Sequence, residues 1–171
     1  YYMQTGNSNR VLFDRIANSI HVQKHDRIPY FHCHGVIPIN GYNARKGHLA
    51  SDKLVLTEDN YLELANNSFS WQATSFIDNC MNRRVVFCGV SLTDANMRRW
   101  LSWIHANKMA EFKENGLNCK DATEHFWICK KPNTIQEKIW LEESVAHLGV
   151  RLVWIDEWNQ TGKVLKKMLG L

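Results

Sequence analysis

The stretch Val85–Asp94 reads VVFCGVSLTD. An apolar run stops at Gly89, and a serine, a threonine and an aspartate follow before a helix-like pattern begins. A glycine there lets a ligand approach the backbone closely. Ser91 offers a hydroxyl, and a helix opening at Asp94 presents free N–H groups, which together suit a phosphate or a ribose. A second stretch, Phe31-His32-Cys33-His34-Gly35, holds two imidazoles two residues apart. An imidazole titrates near working pH and can act as a general base. His32 reads as a structural histidine, and the two are not taken as a metal pair. Each of these residues also has a plainer use. Ser91 can be a turn residue, Asp94 a helix cap, and a strand-end histidine a hydrogen-bonded structural group.

These residues need elements to hold them. Ser8–Ile20 carries Val11, Leu12, Ile16, Ala17 and Ile20 at helical spacing, so a helix is expected there. Pro29–Val36 reads as a short strand and Asn40–Asp52 as a polar loop. Lys53–Thr57 reads as a strand, with Thr57 placed to cap the segment that follows. Ser68–Asn82 reads as a helix, Arg84–Gly89 as a buried strand and Asp94–Asn115 as a long helix. His125–Lys130 and Arg151–Asp156 read as strands, Thr134–Leu148 and Thr161–Leu169 as helices. Trp100, Trp103, Met97 and Met109 on the long helix are core candidates. Short apolar strands alternating with helices imply parallel strands buried on both faces. In such sheets ligands bind beyond the carboxyl ends of the strands. Gly89, Ser91 and Asp156 fall at that edge.

Composition narrows the class. The chain has 171 residues, 44% of them hydrophobic, and seven tryptophans, enough for a real core. Charged residues make up 22%, which argues against disorder. No apolar run approaches the roughly 18–20 residues of a membrane helix. The net charge is +4, and the basic residues Arg98, Arg99, Lys108 and Lys113 read as a solvated helix face. No nucleic-acid-binding motif accompanies them, so direct nucleic-acid binding is not expected. The five cysteines, at 33, 80, 88, 119 and 129, form no Cys-x-x-Cys pair. That fits a reducing cytoplasm rather than a disulfide framework or a zinc ribbon.

His34-Gly35 after a strand resembles the His-Gly of the sirtuin (SIR2) family. Gly89-Val90-Ser91-Leu92 is similar to its Gly-Thr-Ser-Leu segment, which contacts the NAD ribose. The longer string Gly-Val-Ser-Leu-Thr-Asp-Ala-Asn-Met-Arg-Arg over 89–99 resembles the Gly-x-Ser-Leu-x-Asp-x-Asn-x-Arg-Arg of bacterial SIR2-like domains. Leu54–Tyr61 and Leu148–Asp156 continue the likeness in the family's order. Thr5-Gly6-Asn7-Ser8-Asn9 stands where the family has Thr-x-Asn-x-Asp, with Asn9 in place of the Asp and Ser8 in place of an aromatic.

The resemblance implies an α/β fold: a Rossmann-like parallel sheet with helices on both faces. It implies NAD as substrate, with His34 as general base and Asn7 positioning a water. Thr5, Gly89, Ser91, Asp94 and Asp156 would bind the NAD. The family's amino-terminal strand and Gly-Ala-Gly loop have no counterpart, so residues 1–171 are expected to be the carboxyl-terminal portion of one such domain. The remaining part, or a partner chain, would then complete it. The deacylating sirtuins carry four zinc cysteines between His-Gly and Gly-x-Ser, where this chain has only Cys80 and Cys88. Four ligands are needed for structural zinc, so none is expected. The implied activity is hydrolysis of NAD to ADP-ribose and nicotinamide, as in cytoplasmic effectors of bacterial anti-phage defence. Such an effector would work as a homo-oligomer or with a defence-system partner. The alternatives are a sirtuin-type NAD-dependent protein deacylase and an inactive scaffold that binds NAD or ADP-ribose.

Overall fold

The structure is a computed structural model. It describes residues 13–16, 25–34, 55, 57, 59–60, 62, 67, 70–122 and 125–170. The chain forms two units, Tyr1–Thr74 and Ser75–Leu171.

In the first unit, β1 (Phe13–Ile16) pairs in parallel with β2 (Ile28–Phe31), Phe13 opposite Ile28 and Ile16 opposite Phe31. The helix expected over Ser8–Ile20 is therefore a strand at residues 13–16. Asp14 and Ile16, two residues apart on β1, are both buried. Pairing with β2 outranks the helical spacing of the apolar residues, because local preference is weak against tertiary hydrogen bonding. β2 is shorter than the expected Pro29–Val36. Ile16 pairs with Phe31, and its carbonyl then takes the His32 N–H at 2.8 Å. The ladder ends there, and Cys33 and His34 lie in a turn. Thr57 does cap, since Asn60 donates its N–H to Thr57 Oγ1 at 3.3 Å. The loop expected at Asn40–Asp52 and most of the strand expected at Lys53–Thr57 lie outside the described residues.

The second unit holds a three-stranded parallel sheet in the order β3 (Val86–Phe87), β4 (His125–Lys130), β5 (Val150–Ile155). Helix α1 (Trp71–Asn82) leads toward β3; α2 (Ala95–Glu114) links β3 to β4, and α3 (Ile135–Ala146) links β4 to β5. Helix α4 (Thr161–Leu169) follows β5. This is the alternating α/β order that the short apolar strands imply. β4 is the central strand. His125, Trp127, Ile128 and Cys129 are all buried, so both of its faces are covered.

The helices begin where side chains can satisfy their free amides. Asp94 Oδ1 accepts the Met97 N–H at 2.7 Å, Thr134 Oγ1 the Glu137 N–H at 3.2 Å, and Ser70 Oγ the Ala73 N–H at 3.2 Å. α2 then places Leu101 and Ile104 in the core beside Cys80, Phe87, Trp127, Val145 and Leu148. Phe76 of α1 lies 5.7 Å from Trp100, ring to ring. Met97 also packs against this core. Trp103 does not: it is 54% exposed, with the Arg99 guanidinium 5.3 Å from its ring centre. It stands two residues from Leu101, about 200° around the helix, and so faces away from the buried stripe.

α2 and the turn before β5 touch at one close point. Gly149 has φ +68°, and a Cβ there would lie 2.7 Å from His105 Nδ1. Burial lowers the His105 pKa from its ordinary 6.5, with smaller contributions in the same direction from His147 and Lys108. Burial has the opposite effect on the thiols, raising both Cys80 and Cys129 to about 12.

Gly149→Ala must enter the left-handed region and displace the His105 ring, so we expect a loss of about 1–3 kcal/mol in urea unfolding. For His105 the folded state favours the neutral ring. The stability it supports is fully present above pH 6.5 and declines as pH falls through the lower folded-state pKa. Unfolding curves recorded between about pH 5 and 8 should flatten on the acid side in His105→Asn. Asp94→Ala should cost about 1 kcal/mol in the same assay, while Asp94→Asn, which keeps an acceptor at the cap, should cost a few tenths.

Candidate functional site

The carboxyl ends of β3, β4 and β5 lie along one edge of this parallel sheet. The loop after β3 is exposed over residues 88–91 and buried at Leu92. Cys88 is exposed, and Gly89 turns the chain at φ +70° with nothing within 4 Å of where a Cβ would sit. Val90 is 41% exposed, but its carbonyl accepts the Trp127 indole N–H at 2.9 Å. Ser91 is exposed, with its Oγ 2.7 Å from Thr93 Oγ1. Leu92 then dives into the core at 2% exposure. It holds a φ of 51°, a left-handed value that leucine rarely adopts.

The same loop is tied from outside. Arg98, one turn into α2, donates from Nη1 to the Leu92 carbonyl at 3.1 Å and from Nη2 to the Ser144 carbonyl at 2.8 Å. Arg98 is half-buried, so it is not part of the solvated face expected of it; Arg99 and Lys113 are exposed. Arg99 Nη2 reaches Asn96 Oδ1 at 3.0 Å. The net result is a loop in which Gly89, Val90 and Ser91 are exposed while Leu92 anchors it below.

At the other strand ends, Lys130 Nζ bridges both carboxylate oxygens of Glu157, at 2.9 and 3.0 Å. Asp156 is exposed directly after β5. Its N–H donates to Gln160 Oε1 at 2.9 Å, and Glu157 and Gln160 cap the turn at Trp158–Gln160 reciprocally.

The structure thus brings Gly89, Ser91 and Asp94 into one loop. Asp156 lies on the same edge two strands away, about 10 Å by ordinary strand spacing. Asp94 spends Oδ1 on its own helix, which is the plainer of its two uses. His34 belongs to the first unit. It is exposed in the turn after β2, and its carbonyl accepts the Val55 N–H at 3.1 Å. His32 is half-buried and packs edge-on against Tyr30, ring centres 4.7 Å apart, as a structural histidine would. Cys33 between them is half-buried, which pushes its thiol pKa up. Thr5 and Asn7 lie outside the described residues. Among the described residues no group of three His, Cys, Asp or Glu could hold a metal ion, and no helix is long and apolar enough to cross a membrane.

Reasoning from the sequence missed Arg98 and Trp127. The Arg-Arg pair was visible in the string, but nothing local told the inward arginine from the outward one. That distinction depends on α3 ending beside α2. Trp127 reads as one more apolar residue in HFWICK, and its indole donor finds a use only once β4 lies next to β3.

A comparison with curated proteins finds no match. A family model does match, the SIR2-like domain, over residues 4–148. That span takes in the His34 turn, the Gly89–Leu92 loop and the sheet as far as α3, and the α/β order fits the Rossmann-like fold expected of such a domain. The chain therefore belongs to the SIR2-like family, whose chemistry centres on NAD.

Proposed function

We propose that this chain cleaves NAD by hydrolysis, releasing nicotinamide and ADP-ribose. The observation that carries the reading is the Gly89–Ser91 loop. It leaves a parallel sheet at its carboxyl end, exposes its backbone at a glycine with open space beside it, and runs into a helix N-terminus. That combination suits a ribose with its phosphates. In the reaction the bond from ribose C1′ to the nicotinamide nitrogen breaks. Nicotinamide leaves neutral with the bonding pair, and positive charge builds on the ribose. A water oxygen then bonds to C1′ and gives up its proton. His34 takes that proton in this reading, Asn7 orients the water, and Thr5, Gly89, Ser91 and Asp156 hold the nucleotide. Asp94 contributes by fixing the start of α2.

Hydrolysis is favoured over peptide deacylation by the cysteines. Between Gly35 and Gly89 there are only Cys80 and Cys88. Cys80 is fully buried, and two cysteines fall short of the four ligands that structural zinc of this type needs. A cytoplasmic defence effector, working in an oligomer or with a partner, is the setting that this activity fits.

The test is nicotinamide release from NAD by the whole polypeptide, with and without an acetyl-lysine peptide. Release without peptide, lowered at least about 100-fold in His34→Ala, is the expected result. Release only with peptide would make the chain a deacylase. No release under either condition, with NAD still bound, would make it a binding scaffold.

A further inference from the structure

From the two bonds its guanidinium makes, we infer that Arg98 is a positioning residue for the NAD loop, an assignment that rests on the reading above. The Ser144 carbonyl lies in the last turn of α3, where carbonyls lack partners within the helix. Arg98 Nη2 satisfies it at 2.8 Å, and the positive charge suits that end of the helix dipole. The other arm of the same fork, Nη1, holds the Leu92 carbonyl at 3.1 Å. One rigid, planar group therefore references the loop to the end of α3.

That coupling matters because Leu92 is where the loop is strained. A leucine at φ 51° stays there only while its surroundings hold it. Two grips on either side of Ser91 do so: Trp127 on the Val90 carbonyl at 2.9 Å, and Arg98 on the Leu92 carbonyl. Between them the exposed Gly89–Ser91 segment is held in one shape. A ligand that meets it need not supply the ordering itself, which is the usual source of gain from a preformed site. Lysine cannot substitute, because a single ammonium has no fixed fork to span two carbonyls.

The experiment is calorimetric titration of the full chain with a carbocyclic NAD analogue that resists glycosidic cleavage. The unaltered protein is compared with Arg98→Lys, Trp127→Phe and Val150→Ala, and thermal unfolding of each is recorded alongside. Arg98→Lys should weaken binding about tenfold. Trp127→Phe keeps a ring in the core but loses the donor to Val90, and should weaken binding about threefold even if Arg98→Lys folds poorly. Val150 is buried at the opposite edge, paired with His125. Val150→Ala should lower the unfolding temperature while leaving affinity within about twofold. Equal weakening by Val150→Ala for an equal loss of stability would overturn the assignment and leave Arg98 purely structural. Binding by the unaltered protein that survives both Arg98→Lys and Trp127→Phe unchanged would overturn it alone. No binding by the unaltered protein would overturn the NAD reading, and the assignment with it.

Discussion

The candidate site depends on one constraint: Leu92 has to be inside. At 2% exposure its side chain closes the core cluster where β3, β4 and α2 meet. Reaching that position from an exposed Ser91 forces the backbone to φ 51°. A left-handed leucine costs roughly 1–2 kcal/mol, whereas burying its side chain gains roughly 1.5–3 kcal/mol. The two are close enough that the carbonyl partners decide the matter. Arg98 on Leu92 and Trp127 on Val90 move the balance toward the strained form. The outward presentation of Gly89–Ser91 is then a consequence of packing below the loop. The exposed residues of the loop are placed by residues packed beneath it.

This arrangement explains what the sequence made legible. Helix starts were readable because their causes are local. Asp94, Thr134 and Thr57 each lie three residues before the amide they cap. The span His125–Lys130 was readable because a fully buried central strand needs an unbroken apolar run. β1 was misread because its pattern supports two periods. Val11, Leu12, Ile16 and Ala17 suit a helix, and only pairing with Ile28–Phe31 selects the strand. Trp103 was misplaced for a related reason. An aromatic three residues from Trp100 looks like core until Leu101 and Ile104 define which face is buried.

The site was legible in the same uneven way. Gly89, Ser91 and Asp94 could be named because strand, glycine and cap follow each other along the chain. Arg98 and Trp127 could not, since their partners, Leu92 with Ser144 and Val90, lie 6, 46 and 37 residues away in the sequence. A motif written as Asp-x-Asn-x-Arg-Arg gives the three polar types equal weight. The structure separates them into a cap, a surface partner for Arg99, and an inward clamp.

The opposite end of the edge is held by different means. Lys130 and Glu157 make the most conspicuous contact there, yet both side chains are well exposed, at 46% and 64%. An ion pair so exposed contributes less than about 1 kcal/mol and weakens with salt. The reciprocal cap between Glu157 and Gln160 is the firmer device, because it satisfies backbone amides in the turn itself. Gln160 Oε1 also takes the Asp156 N–H, so the residue that follows β5 is fixed through its backbone. Its carboxylate remains exposed. Asp156 is thus placed by the turn and not by charge, as Ser91 is placed by Leu92. At both ends of this edge, hydrogen bonds to backbone fix the position while the polar side chain stays exposed.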